Sequence, residues 1–196
     1  GSSATIVNLS NCYLNCSNNT GISFTSSSGS ARINCFYCQG DTGTTGISLF
    51  SSSSAGDLLF NFSYMNNTGG SSTASSLSAG RLEISNSTFN LPISSTSTSY
   101  ADIRWSIING ATGSAIPITA NGTGGTYQLK HNDIRTNNAA AVSIGASASV
   151  VMIINGIQSN AATVIAGTGT VSYGGNVYVT NSAKAAGLTK TALTTD

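Results

Sequence analysis

Six carboxylates, one histidine and four cysteines are the side chains this sequence offers for acid–base, nucleophilic or metal chemistry: Asp41, Asp57, Glu83, Asp102, Asp133, Asp196, His131, Cys12, Cys16, Cys35 and Cys38. The cysteines fall as Cys-x3-Cys followed by Cys-x2-Cys, spacings that a tetrahedral thiolate site for zinc also uses. A disulfide is a second use, and burial as small hydrophobes a third. The four thiols spread over two successive repeats without evident convergence, which favours buried or semi-buried thiols. His131 is the right type for a general base near neutral pH, and Lys130-His131-Asn132-Asp133 clusters titratable groups. Glycoside hydrolysis, however, needs two carboxyls about 5–10 Å apart. The positions aligned with Asp133 in neighbouring repeats are Gly110 and Gly156. His131 and Asp133 therefore read as a solvated pair and as a weak candidate surface site for glycan contact. No Gly-x-Ser-x-Gly elbow or phosphate-cradling glycine loop is present, so no catalytic residue, cofactor or metal is assigned.

Charged residues make up 7% of the chain, against about 25% in an ordinary globular domain. A net charge of +1 without a basic run offers no phosphate-neutralising surface, so nucleic acid is not an expected partner. Hydrophobic residues reach 39% in strand-forming clusters such as Val150-Val151-Met152-Ile153-Ile154, which separates the chain from disordered sequences. No apolar run approaches the roughly 18 residues of a membrane span, and membrane insertion is not expected.

The elements that must position these side chains repeat. A short apolar strand runs into Asn or Ser, a spacer and a bulky or apolar residue, as in Asn11-Cys12-Tyr13, Cys35-Phe36-Tyr37, Ser63-Tyr64, Ser87-Thr88-Phe89, Asn109-Gly110-Ala111, Asn132-Asp133-Ile134, Asn155-Gly156-Ile157 and Asn176-Val177-Tyr178. Successive copies lie about 24 residues apart, drifting between about 21 and 27, the mark of a solenoid whose units bury their apolar faces on one another. Alternating stretches such as Arg81-Leu82-Glu83-Ile84-Ser85 read as strands with one face inward. The expected fold is all-β, a parallel β-helix of about eight rungs over residues 1–183. Residues 184–196 are expected to form a C-terminal cap or connecting tail, with a helical turn at Ala183-Lys184-Ala185-Ala186-Gly187-Leu188.

Laid on these rungs, Asp57, Arg81 and Asp102 each open a rung and are expected to stack as alternating charges. Glu83 is expected over Arg104. Opposite charges on adjacent strands contribute roughly 0.2–1 kcal/mol each, and the ladder would favour one register. Tyr13, Tyr37, Tyr64, Phe89 and Tyr178 are expected to share one column, packed in the core or against a neighbouring chain.

Irregular rung lengths with Asn at the turn, as in Ile153-Ile154-Asn155-Gly156-Ile157-Gln158-Ser159-Asn160, resemble the right-handed, pectate-lyase-like β-helices of viral fibres and bacteriophage tailspikes. The resemblance implies a right-handed coil, packing as a homotrimer and a place on the virion surface. It implies a structural or receptor-binding, non-enzymatic role in host-surface attachment. The implied partners are a host cell-surface glycan or protein receptor and other fibre or tail components. A glycan-cleaving tailspike enzyme and a bacterial surface adhesin are the alternatives. An ice-binding solenoid needs Thr-x-Thr on successive rungs, and here Thr42-Gly43-Thr44 and Thr96-Ser97-Thr98 stand isolated.

Overall fold

A computed structural model of the chain describes residues 5–15, 22–24, 32–41, 50–52, 56–66, 75–77, 80–95, 99–110, 116–121, 125–137, 139–180 and 183–193. Alternation along each strand sets which side faces in: in Asp57–Asn61, Leu58 and Phe60 are buried while Asp57, Leu59 and Asn61 are half-exposed. Such strands wind into a parallel β-solenoid with no helix among the described residues. Its three sheets hold nine, eight and eight strands. Sheet A runs through Ile6–Ser10, Arg32–Phe36, Asp57–Asn61, Gly80–Ser85, Ser99–Arg104, Thr126–Lys130, Ser149–Ile153, Thr170–Gly174 and Thr189–Ala192. Sheet B contains Tyr13–Asn15, Gln39–Asp41, Tyr64–Asn66, Thr88–Phe89, Ile107–Asn109, Asp133–Arg135, Gly156–Gln158 and Val177–Val179. Sheet C begins at Ile22–Phe24 and ends at Ala183–Ala185. Each strand pairs in parallel with its counterpart one turn away, so identical positions stack in columns.

The passage from sheet A to sheet B has a fixed length. The inward residue of sheet A stands three positions before the corner residue and that of sheet B two after it, as in Ile84/Ser87/Phe89, Ile103/Ser106/Ile108 and Leu129/Asn132/Ile134. Between them sits a residue in the left-handed region: Asn11, Tyr37, Phe62, Asn86, Trp105, His131 and Ile154 have φ of 47–55°, and Gly175 has 62°. In the seven non-glycine cases this N–H donates to the last carbonyl of the next turn's sheet A strand, for example Trp105 to Lys130 at 3.1 Å and Ile154 to Gly174 at 2.9 Å.

The following residue points into the corner and forms a column of buried Ser63, Ser87, Ser106, Asn132 and Asn155 that ends at half-buried Asn176. Every member accepts a backbone N–H from the turn before, at 2.9–3.3 Å. The serines also donate to the carbonyl two residues back, while Asn132 and Asn155 donate to Ile103 and Leu129 carbonyls at 2.7 and 2.9 Å. Buried backbone groups thus find partners where the chain leaves one sheet for the next.

This column corrects the expected alignment. Ser106, Cys38 and Cys12 occupy the corner, where Asn109, Cys35 and Asn11 were expected. For Ser106 the cause is one short turn: Ser87 and Ser106 are 19 residues apart, below the expected drift. The charge ladder shifts with it. Asp57 does neighbour Arg81, but Arg81 faces Tyr100, Glu83 faces Asp102, and Ser85, not Glu83, faces Arg104. Charges pair along a strand instead, as Arg81–Glu83, Asp102–Arg104 and Asp133–Arg135. Pairs two residues apart on one strand carry no information about register. Across strands, Arg32 reaches Asp57 at 2.7 Å.

The aromatic column also divides. Tyr13 and Tyr64 lie on the outer face of sheet B with Gln39 and Thr88 between and beyond them, Phe89 and Tyr178 face inward, and Tyr37 sits at the corner. Cys12, Cys35 and Cys38 are free thiols and are brought together, whereas no convergence was expected; Cys16 lies outside the described residues. In place of a helical turn, Ala183–Ala185 and Thr189–Ala192 continue sheets C and A, joined through Gly187 at φ 75°. The sheets therefore extend past the position expected to begin the tail. Thr42-Gly43-Thr44 and Thr96-Ser97-Thr98 lie outside the described residues.

Tyr127 fills the core beside the small Ala101, its hydroxyl 3.2 Å from that of Ser99. Burial raises its phenol above the ordinary 10.0, against a lowering by the Ser99 hydrogen bond. The folded state thus holds this proton more tightly than the unfolded chain. Its contribution to stability is complete below pH 10 and is lost as pH rises through the folded value. Denaturant titrations are expected to show stability falling by up to about 1.4 kcal/mol per pH unit above pH ~10, with a shallower fall in Tyr127→Phe.

Candidate functional site

Trp105 follows strand Ser99–Arg104 at the A–B corner, and its left-handed backbone (φ 47°) turns the indole outward, leaving the residue 57% exposed. One turn on, the ring of His131 stacks on it with centroids 6.0 Å apart and planes 20° from parallel. Ile154 extends the row by another turn. Nearer the N-terminus, Tyr37 and Phe62 stack at 5.1 Å and 8°. Exposed rings therefore recur along one edge of the rod because consecutive turns place them in one column.

Two shallow depressions flank Trp105. On the sheet A side, one of about 310 Å³ is bordered by Arg81, Glu83, Asn86, Asp102 and Arg104. On the sheet B side, one of about 450 Å³ is bordered by Ile107, His131, Asp133 and Ile154. The second contains the residue pair singled out in the sequence, though the two have separate partners. His131 stacks on the indole, while Asp133 is gripped by Arg135, whose Nε donates to Oδ1 at 2.9 Å and whose Nη2 donates to Oδ2.

The first depression contains what the sequence reading missed. Glu83 and Asp102 face each other on adjacent strands, so two carboxylates are neighbours after all. Their remaining bonding capacity decides what they can do. Asp102 is 3% exposed, with both oxygens occupied by Arg104: Nε donates to Oδ1 at 2.6 Å and Nη2 to Oδ2. Arg81 Nη2 engages Glu83 Oε1. Hydrolysis requires one carboxyl to deliver a proton and the other to present a free oxygen to the sugar or water. With both of its oxygens held by one guanidinium, Asp102 is better fixed as a hydrogen-bonding wall than used as a proton carrier. The same bonds from Asp102 raise Arg104 above its ordinary value, and burial, then Asp102, raises the Tyr100 phenol.

Arg81 has further capacity. Its guanidinium lies 5.4 Å over the Tyr100 ring, and its Nε is buried without a hydrogen-bond partner among the described residues. A broad indole face and planar groups held in place suit a ligand with an apolar face and hydroxyl edges. The signal that would have located this site is the fixed spacing around the corner. Ile103-Arg104-Trp105-Ser106-Ile107-Ile108 carries an inward apolar residue three before and two after Ser106, and this assigns Trp105 to the outward bend.

Compared with protein-family models, curated proteins and solved structures, the chain matches none.

Proposed function

We propose that this chain is a structural and receptor-binding, non-enzymatic segment of a virion fibre or tailspike, exposed on the virion surface and attaching to a host cell-surface glycan. The observation that carries this reading is the exposed Trp105–His131 stack, bordered by ion-paired polar side chains on a stiff parallel solenoid. A sugar ring has an apolar CH face for the indole and hydroxyl edges for Arg81, Glu83 and Asn86. The segment forms about eight rungs and assembles as a homotrimer. Exposed Tyr37, Phe62 and Tyr64 on the N-terminal turns support contact with neighbouring chains, since apolar rows of this kind are usually covered.

The test is retention of purified protein on a panel of bacterial surface polysaccharides. Trp105→Ala is expected to weaken binding by about tenfold or more, as loss of an aromatic anchor does, with an unchanged melting temperature. Failure to bind any glycan, or equal binding by Trp105→Ala, counts against the reading. The Glu83–Asp102 juxtaposition favours a second reading, a glycan-cleaving tailspike. Release of new reducing ends, abolished in Glu83→Gln, would establish that reading instead.

A further inference from the structure

The corner column changes chemistry at its N-terminal end. From Ser63 onward each member is a hydroxyl or amide that passes a hydrogen bond to the next turn. Its first two members are Cys12 and Cys38: Tyr13 pairs with Gln39, and the Gln39 N–H donates to the Cys12 carbonyl at 2.8 Å. A thiol is a weak hydrogen-bonding group, so the link between these two turns lacks the strong side-chain bond found further along. We infer that Cys12 and Cys38 form a disulfide in an oxidising medium, making the first turn-to-turn link of the corner column covalent.

The two side chains are disposed for it. Cys12 Sγ lies 3.3 Å from the Ser10 carbonyl and Cys38 Sγ 3.5 Å from that of Phe36, the same contact two residues back that the corner serines make. Both sulfurs therefore hang in one column from adjacent turns. Cys38 Sγ already reaches the first turn, 3.5 Å from the Leu9 carbonyl. Neighbouring strands stand about 4.8 Å apart, inside the Cα separation of roughly 4.4–6.8 Å that disulfides span. Cys12 is half-buried and open to exchange, whereas Cys35 and Cys38 are buried. Burial, followed by the neighbouring Cys38 and Cys12 thiols, pushes the Cys35 thiol up to about 12. Cys35 hydrogen-bonds Cys38 but belongs to the inward column of sheet A, stacked between Leu9 and Phe60 rather than in the corner column, so the link runs between the two corner thiols.

The oxidant is a low-molecular-weight disulfide. The Cys12 thiolate attacks one of its sulfurs, expelling a small thiolate and leaving a mixed disulfide. The Cys38 thiolate then displaces the second small thiol. The protein gives up two electrons and two protons, and the small disulfide becomes two thiols.

Folded protein is incubated with oxidised glutathione, quenched in acid, alkylated and mapped by mass spectrometry. Wild type and Cys35→Ser are expected to lose about 2 Da and yield a Cys12–Cys38 linked peptide. Cys12→Ser and Cys38→Ser should keep their mass while remaining folded, because serine is what the column uses elsewhere. Amide exchange across residues 5–41 should slow by about tenfold on oxidation. A folded wild type that keeps its mass, or a linkage through Cys35 or Cys16, overturns the assignment.

Discussion

Replacing Asn155 with leucine is expected to destabilise the protein by about 3–5 kcal/mol, although the two side chains differ little in size. Asn155 is buried at the A–B corner and serves both neighbouring turns. Its Oδ1 accepts from the Asn132 backbone N–H at 3.0 Å and Asn132 Nδ2 at 3.1 Å. Its Nδ2 donates to the Leu129 carbonyl and to Asn176 Oδ1, both at 2.9 Å. Leucine would leave a buried N–H and a buried carbonyl unsatisfied, each costing about 1–3 kcal/mol, and would uncouple Asn132 from Asn176. Asn155→Ser is expected to cost only about 1 kcal/mol, because Ser106 does the equivalent work with a hydroxyl. Urea denaturation of the two variants measures the difference. Because a solenoid's turns are held by their neighbours, hydrogen exchange should show the loss concentrated between Asn132 and Asn176.

Gly167→Ala is expected to be as damaging for a different reason. Gly167 ends its sheet C strand at φ 123°, and an added Cβ would stand 1.9 Å from the Ile144 carbonyl oxygen and 2.7 Å from its carbon. These are backbone atoms in the neighbouring strand, so relief requires separating two turns. The expected cost is about 4 kcal/mol, or a fall of about 10 °C in melting temperature at this chain length. Gly156 is the internal control: a Cβ there has nothing closer than 3.9 Å. Gly156→Ala should fall within about 0.5 kcal/mol of wild type. Equal melting temperatures for the two variants would contradict the close packing of Gly167 against Ile144.

The solenoid was legible in the sequence because its period, its alternating strands and its corner Asn and Ser residues all leave marks in residue type. Ser63, Ser87, Asn132, Asn155 and Asn176 occupy the corner as expected. Register failed in two regions: at the first corners, where Cys12 and Cys38 stand in place of Asn11 and Cys35, and between Ser87 and Ser106. Between Ser87 and Ser106 the chain shortens to 19 residues, and Asn109 offered a false match with a more regular spacing. That slip separated Glu83 from Asp102 and left Trp105 without an assigned place, so the main features of the candidate site were lost through an error in counting rather than in chemistry. The charge pairs were missed because they form along strands, where stacking logic does not look. His131 and Asp133 were found, but no sequence pattern signals that an imidazole will lie against an indole one turn away.

Seven non-glycine residues share the left-handed bend, among them an indole, an imidazole, two other aromatic rings, two amides and a branched aliphatic side chain. The conformation costs roughly 1–2 kcal/mol for an ordinary L-residue, less for an amide such as Asn and more for a β-branched side chain such as that of Ile154. The backbone at this edge nevertheless holds the same bend beneath all of these side chains. The groups displayed along this edge can be exchanged one turn at a time, by single substitutions that leave the buried side of the same bend untouched.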